Sequence, residues 1–78
     1  MSDADLRRAI LAQVDCLRPN TTCCPSQIAR NLAPDWRPLM APLRAEALSL
    51  AAEGRIRVLQ GGRDAGPAPR GPVRLARS

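Results

Sequence analysis

The spacing of the apolar residues changes at Gly54, and this change limits the folds open to the chain. Before Gly54 the apolar residues recur every three or four positions, which is typical of helices with one buried face. After Gly54 they alternate with arginine, as in a strand with one face on a core. The sequence therefore predicts a mostly α fold with a small antiparallel β-hairpin, of class α+β.

Three helices are predicted before Gly54, at about 3–17, 25–32 and 39–53. The spacing of Ser2 and Asp5 is typical of a capping box at the start of the first helix. Pro25 suits the first position of the second helix, because proline has no amide hydrogen to leave without a partner. Cys24 then takes the capping position before it.

The third helix is expected to carry the central apolar face and to begin irregularly. Four residues at helical spacing form this face: Leu39, Leu43, Ala47 and Leu50. Pro42 would break a regular helix that already ran through Pro38. We therefore expect an irregular turn over 35–41 and regular helix after it, ended by Gly54.

Two antiparallel strands are predicted after the helices, at about 55–60 and 72–76. In each strand the apolar residues lie two positions apart and share the face toward the core. The segment 61–71 between them is rich in Gly and Pro and predicts a loop without core residues. Residues 21–23 can add at most a short third strand. The whole chain, 1–78, is expected to form one domain.

This order of elements is that of a winged helix-turn-helix domain, with three helices and a wing of two or three strands. The chain resembles a small bacterial family of unknown function with a winged-helix-like fold. The resemblance covers nearly the whole chain, and its most specific blocks are Cys24-Pro25-Ser26 and Trp36-Arg37. It implies a fold but no established activity, so no catalytic residues are carried over.

The net charge of +5 is concentrated in the last 24 residues. Residues 1–54 contain six arginines and six acids, whereas residues 55–78 contain six arginines and one acid. A basic segment favours an anionic partner, most often nucleic acid. A compositional bias toward arginine over lysine remains an alternative, as do charges on edge strands that prevent aggregation.

Most winged helices bind DNA by placing the third helix in the major groove. The predicted exposed face of that helix carries Pro42, Ala45, Ser49 and Ala52, of which only Ser49 has a side-chain donor. Base reading is therefore not expected, since it needs several donors. We expect duplex DNA to be bound mainly through its phosphates, in a transcription-associated role, by Arg30, Arg37, Arg44, Arg63 and Arg70.

The alternative hypothesis is a protein-interaction or dimerisation module that has kept the fold and lost base reading. The small residues on the third helix favour it. An enzyme is not expected, because His, Lys and Tyr are absent from the chain. No cofactor is predicted, and three cysteines without histidine do not make a four-ligand zinc site.

The cytoplasm is the expected location. The odd number of cysteines and the acidic N-terminus favour unpaired thiols and no secretion signal. No apolar run is long enough for a membrane span. We expect at least two of the three cysteines to be buried for structural reasons, and a redox role for Cys16, Cys23 and Cys24 stays open.

Overall fold

The computed structural model describes residues 2–66 and 69–78. It has the winged-helix-like α+β arrangement that the sequence predicts, with three α-helices followed by a three-stranded antiparallel sheet. The elements are α1 (Asp3–Asp15), α2 (Pro25–Leu32), a 3-10 turn (Arg37–Leu39), α3 (Met40–Ala52), β1 (Ile56–Gln60), β2 (Arg63–Asp64) and β3 (Arg74–Arg77). Residue 1 of the predicted domain and residues 67–68 of the predicted loop lie outside the described residues. Within the described ranges, no helix is both long enough and apolar enough to span a membrane.

α1 begins with the predicted capping box and ends two residues earlier than predicted. The amide of Asp5 donates to Ser2 Oγ at 3.2 Å, and the amide of Ser2 donates to Asp5 Oδ2 at 3.3 Å. At the other end, the amides of Cys16 and Leu17 donate to carbonyls three residues back, which tightens the chain out of α-helical geometry. Leu17 still packs against the core from this turn.

The junction between α2 and α3 explains how the prolines of this region are accommodated. α2 has its predicted bounds, with Pro25 at its first position and Cys24 as its N-cap. Pro38 lies in the 3-10 turn and Pro42 in the first turn of α3. Amides in the first turn of a helix have no intrahelical partner, so α3 can begin at Met40. This start is within one residue of the predicted start at 39, and regular helix replaces the last two residues of the irregular turn expected over 35–41.

Gly54 ends α3 as predicted, in a Schellman motif. Its φ of 77° lies in the left-handed region that favours glycine. The amide of Gly54 donates to the carbonyl of Ala51 at 3.0 Å, and that of Arg55 to the carbonyl of Leu50 at 2.9 Å. The chain therefore leaves the helix sharply and enters β1 at Ile56.

The sheet has the strand order β2-β1-β3. Gly61 and Gly62 connect β1 to β2 with φ values of 61° and 81°, as the two-residue turn of a tight hairpin requires. The prediction of a continuous loop over 61–71 is therefore wrong at its start. Ala65 also packs against the core, which corrects the expectation that this segment contributes no core residue.

β3 forms the other side of the sheet and starts later than predicted, at Arg74, because Pro72 has no amide hydrogen to donate to a ladder. The amide of Cys23 donates to the carbonyl of Leu75 at 2.9 Å, and the amide of Leu75 donates back at 2.8 Å. Residues 21–23 thus contribute a single bridge beside β3 rather than a strand.

The hydrophobic core lies between the three helices and the inner face of the sheet. Its largest fully buried side chains are Leu6, Ile10, Leu43, Leu50, Leu75 and Val14. No charged or polar side chain of the described residues is buried. All charged groups in these ranges therefore lie at or near the surface, where they can meet a partner.

Candidate nucleic-acid interface

The wing is the part of the chain from β1 to β3, described at residues 56–66 and 69–77. Arg44 anchors it to α3. Its Nη1 donates to the carbonyl of Gly71 and its Nη2 to the carbonyl of Pro69, each at 2.7 Å. The planar fork of a guanidinium suits two acceptors held at a fixed separation. Arg44 was predicted to contact phosphate, but in this structure both terminal nitrogens are engaged by the wing.

Gln60 binds the alternate carbonyls of the same segment. Its Nε2 donates to the carbonyl of Pro72 at 3.2 Å and to that of Arg70. Together with the bonds from Arg44, four successive carbonyls over 69–72 accept side-chain hydrogen bonds. We call residues 69–72 the clamped segment. These bonds fix the backbone that carries the Arg70 side chain.

Arg63 and Arg70 are the two wing arginines among the predicted site residues. Both are exposed. Arg63 begins β2, directly after the glycine turn, and Arg70 lies in the clamped segment. Among the described residues, no carboxylate pairs with either guanidinium. Both side chains are therefore available to an anion from solution.

Arg30 and Arg37 lie beside Trp36 and not on the wing. Their Cζ atoms lie 4.8 and 4.9 Å from the centroid of the Trp36 ring. These distances are within the range of cation–π attraction. Trp36 is itself half-buried against the core, so it supports two exposed guanidinium groups that no described carboxylate neutralises.

The outward face of α3 has little with which to read bases. Ala45, Ser49 and Ala52 are exposed, and Pro42 is half-buried at the start of the same face. The Ser49 hydroxyl donates to Glu53 Oε2 at 3.5 Å. The only predicted donor of this face therefore already has an acceptor within reach.

A second set of charges ties α1 to α3. Arg7 donates to Glu46 Oε2 at 3.3 Å and also pairs with Glu53. The hydrogen bond from Arg7 lowers the pKa of Glu53, and the same bond raises the pKa of Arg7. These acids lie on α3 or at its end, which makes that helix unattractive to phosphate.

The arginines on the outer face of the sheet were not among the residues predicted from the sequence. Arg57 of β1 lies opposite Ala76 of β3, and Arg74 lies opposite Leu59. Arg57 pairs with Asp64 at 3.3 Å, and Arg74 Nε donates to Thr22 Oγ1 at 3.0 Å. The alternation that identified the strands also predicts that alternate arginines share this face.

The cysteines differ from one another in exposure, and the expectation that at least two are buried is wrong. Only Cys23 is buried, Cys24 is half-buried and Cys16 is exposed. The reason is position, because Cys16 caps the end of α1 and Cys24 caps the start of α2. None forms a disulfide, and the described residues hold no group of three or more potential metal ligands.

The pKa values of the adjacent thiols Cys23 and Cys24 are shifted in opposite directions. Burial raises the pKa of Cys23. The hydroxyl of Ser26, whose Oγ lies 3.0 Å from Cys24 Sγ, lowers the pKa of Cys24. Cys24 is therefore the more acidic of the adjacent pair.

The comparisons with known proteins give a family and no activity. No curated protein matches the chain. One family model matches residues 3–78, and its description is "Protein of unknown function (DUF3253)". Because this match spans nearly the whole length, the chain belongs to the DUF3253 family.

Proposed function

We propose that the protein binds nucleic acid through the sugar–phosphate backbone, using the wing and the arginines beside Trp36. One observation carries the proposal: four arginines have no carboxylate partner among the described residues and are held on ordered supports. These are Arg30, Arg37, Arg63 and Arg70. Supports of this kind reduce the ordering that binding requires.

The arrangement supports contact with phosphates rather than with base edges. Guanidinium groups bind phosphate oxygens through two parallel hydrogen bonds. Phosphate contacts position a protein on nucleic acid but carry no sequence information directly. The outward face of α3, with alanines and a serine bonded to Glu53, supports the same conclusion. Under this proposal Arg44 positions the wing instead of contacting phosphate.

The proposal is tested by the salt dependence of binding to a mixed-sequence duplex. Each phosphate contact contributes about 0.9 to the slope of log K against log salt concentration on duplex DNA. Arg63→Ala and Arg70→Ala should each flatten the slope by about one unit and weaken all sequences alike. Fluorescence anisotropy at several salt concentrations measures both effects.

Arg8→Ala is the matched control, because Arg8 is exposed on α1 and pairs with Asp5. It should leave the slope unchanged. Failure of the unaltered protein to bind duplex DNA at low salt would overturn the proposal. A change in preference between sequences on Ser49→Ala would show instead that α3 reads bases.

A second candidate function is self-association through α3. The alanine-rich outward face favours it, together with an open groove of about 420 Å³ beside the end of that helix. Leu48, Ala51 and Val58 are among the residues that line this groove. Sedimentation equilibrium should then detect a dimer that Ala45→Glu dissociates. A monomer at all concentrations would exclude this candidate.

We infer that the protein is located in a bacterial cytoplasm, where thiols are kept reduced. Three cysteines without a disulfide support this location. We propose no catalytic activity, since the chain has no His, Lys or Tyr to serve as a general acid or base.

A further inference from the structure

An open groove of about 550 Å³ lies between the segment after α1 and the outer face of the sheet. It is separate from the proposed nucleic-acid interface, because Arg63, Arg70 and Trp36 with its two neighbouring arginines do not line it. We call it the sheet groove. Six of its lining residues give it its chemical character: Arg18, Thr22, Arg57, Leu59, Ala76 and Arg77.

The sheet groove is basic. Three arginines line it, no Asp or Glu side chain of the described ranges does, and Ser78 places the terminal carboxylate at its edge. Arg57 shares its charge with Asp64, whereas no described carboxylate pairs with Arg18 or Arg77. Arg77 Nη1 donates to the carbonyl of Leu17, at 3.4 Å. Three arginines outnumber Asp64 and the terminal carboxylate, so the groove keeps a net positive charge.

The wall formed by residues 18–22 is preformed. Thr21 donates to the carbonyl of Arg18 through both Oγ1, at 2.6 Å, and its amide, at 3.2 Å. Asn20 has a φ of 65°, a left-handed conformation that asparagine tolerates better than most residues. Arg74 holds Thr22 from the neighbouring strand through Nε and Nη2. A ligand would therefore meet a shaped wall and would not have to order it.

The chemistry of the floor and the rim differs. Leu59 and Ala76 give the groove a small apolar floor, whereas the guanidinium groups carry the charge. Small-molecule sites combine apolar contact with a few polar groups in a concave volume of about 300–1,000 Å³. Arginine forks match phosphoryl oxygens in geometry as well as charge.

We propose that the sheet groove binds a small phosphomonoester. Arg18 and Arg77 bind the phosphoryl group, and Arg57 adds charge from β1. The group esterified to the phosphate lies over Leu59 and Ala76. A groove of this size holds a small ligand against the sheet, whereas the wing arginines Arg63 and Arg70 lie outside it.

Amide chemical shifts of the isotope-labelled protein test this proposal. The probes are adenosine 5′-monophosphate, inorganic phosphate, adenosine and sodium chloride, compared at equal ionic strength. The monophosphate should shift the amides of residues 18, 20–22 and 57–62 and reach saturation. Adenosine and chloride should not. Equal affinity for inorganic phosphate would overturn the placement of the esterified group, and equal shifts with chloride would overturn the site.

Charge-neutral variants assign the ligand to its residues. Arg18→Gln and Arg77→Gln should each weaken the monophosphate roughly tenfold or more, since each removes hydrogen bonds to a charged group. Arg8→Gln, on α1 outside the groove, should leave the affinity unchanged. Arg77 also bonds to the carbonyl of Leu17, so its substitution can destabilise the fold. If Arg77→Gln lowers the midpoint of unfolding, the test rests on Arg18→Gln alone. Unchanged affinity in Arg18→Gln would overturn the proposal.

The wing and the sheet groove are separable in the same experiments. Arg18→Gln should keep the salt slope for duplex DNA, and Arg63→Ala should keep the affinity for the monophosphate. The proposal for the groove therefore does not depend on nucleic-acid binding by the wing. Loss of monophosphate binding in Arg63→Ala would contradict a separate site.

Discussion

The helical layer (residues 3–52) and the wing (described at residues 56–66 and 69–77) are held together by different interactions. In the helical layer, large apolar side chains such as Ile10 and Leu43 are fully buried. The wing has a buried inner face, but its clamped segment is fixed by hydrogen bonds from Arg44 and Gln60 to backbone carbonyls. Packing stabilises one region, and side-chain donors position the other.

The two regions also differ in how their charges are balanced. The acids before Gly54 equal the arginines in number, and three of them pair with Arg7 or Arg8. After Gly54, Asp64 is the only acid for six arginines and pairs with Arg57. Because the clamped segment of the wing is fixed through backbone carbonyls and not through carboxylates, Arg63 and Arg70 are available to an external anion. Variants in each region test this contrast.

The largest expected effect is on the helical layer. Leu50→Ala should lower the free energy of unfolding by about 2–5 kcal/mol, the usual cost of a cavity at a buried leucine. Leu50 is fully buried, whereas Leu48 on the same helix is half-buried. Chemical denaturation measures the difference, with Leu48→Ala as the control of smaller effect. A loss below about 1 kcal/mol would contradict the assignment of Leu50 to the central core.

The next effect is on the wing alone. Arg44→Met keeps an unbranched side chain and removes the bonds to Pro69 and Gly71. Backbone order parameters at Arg70 and Gly71, measured by nitrogen relaxation, should fall, because the carbonyls that Arg44 holds lose their donors. The free energy of unfolding should change less than in Leu50→Ala. Unchanged order parameters in the clamped segment would show that Arg44 does not fix the wing.

A smaller effect concerns the ion pairs between α1 and α3. The bond from Arg7 lowers the pKa of Glu53 in the folded state. The stabilisation is therefore fully present above the unfolded pKa, about 4.3 for a glutamate, and is lost as the pH falls through the folded pKa. Arg7→Met should raise the pKa of Glu53 and weaken this loss of stability in acid.

Carbon chemical shifts of the Glu53 carboxyl group measure this pKa directly. Asp5 is the internal control, because the Ser2 hydrogen bonds lower its pKa and Arg7 does not contribute. If Glu53 titrates in Arg7→Met as it does in the unaltered protein, the ion pairs do not help to hold α1 against α3.

The smallest effect is at the start of α2. Because Ser26 lowers the pKa of Cys24 and burial raises that of Cys23, an alkylating reagent should modify Cys24 before Cys23. Ser26→Ala should raise the pKa of Cys24 and slow its alkylation at neutral pH. Mass spectrometry of the modified peptides measures the rates. A Cys23–Cys24 bridge in protein taken from cells would instead indicate a redox role.

The sequence alone determined the positions of the three helices and two of the three strands to within about two residues, since their signals are local. Ser2 and Asp5 mark the start of α1, Pro25 the start of α2 and Gly54 the end of α3. β2 was missed, although the adjacent glycines at 61–62 are a signal for a two-residue hairpin. The spacing of the apolar residues identified which faces of the helices and strands are buried.

Only the tertiary structure decided which groups each arginine contacts. Sequence spacing predicted that Arg63 and Arg70 are exposed, and they are. It could not predict that Arg44 donates to carbonyls 25 and 27 residues away. Nor could it bring Arg18 and Arg77 into one groove. The period of a sequence determines the face on which a side chain lies, but the partner of a long polar side chain depends on distant backbone that folding brings near.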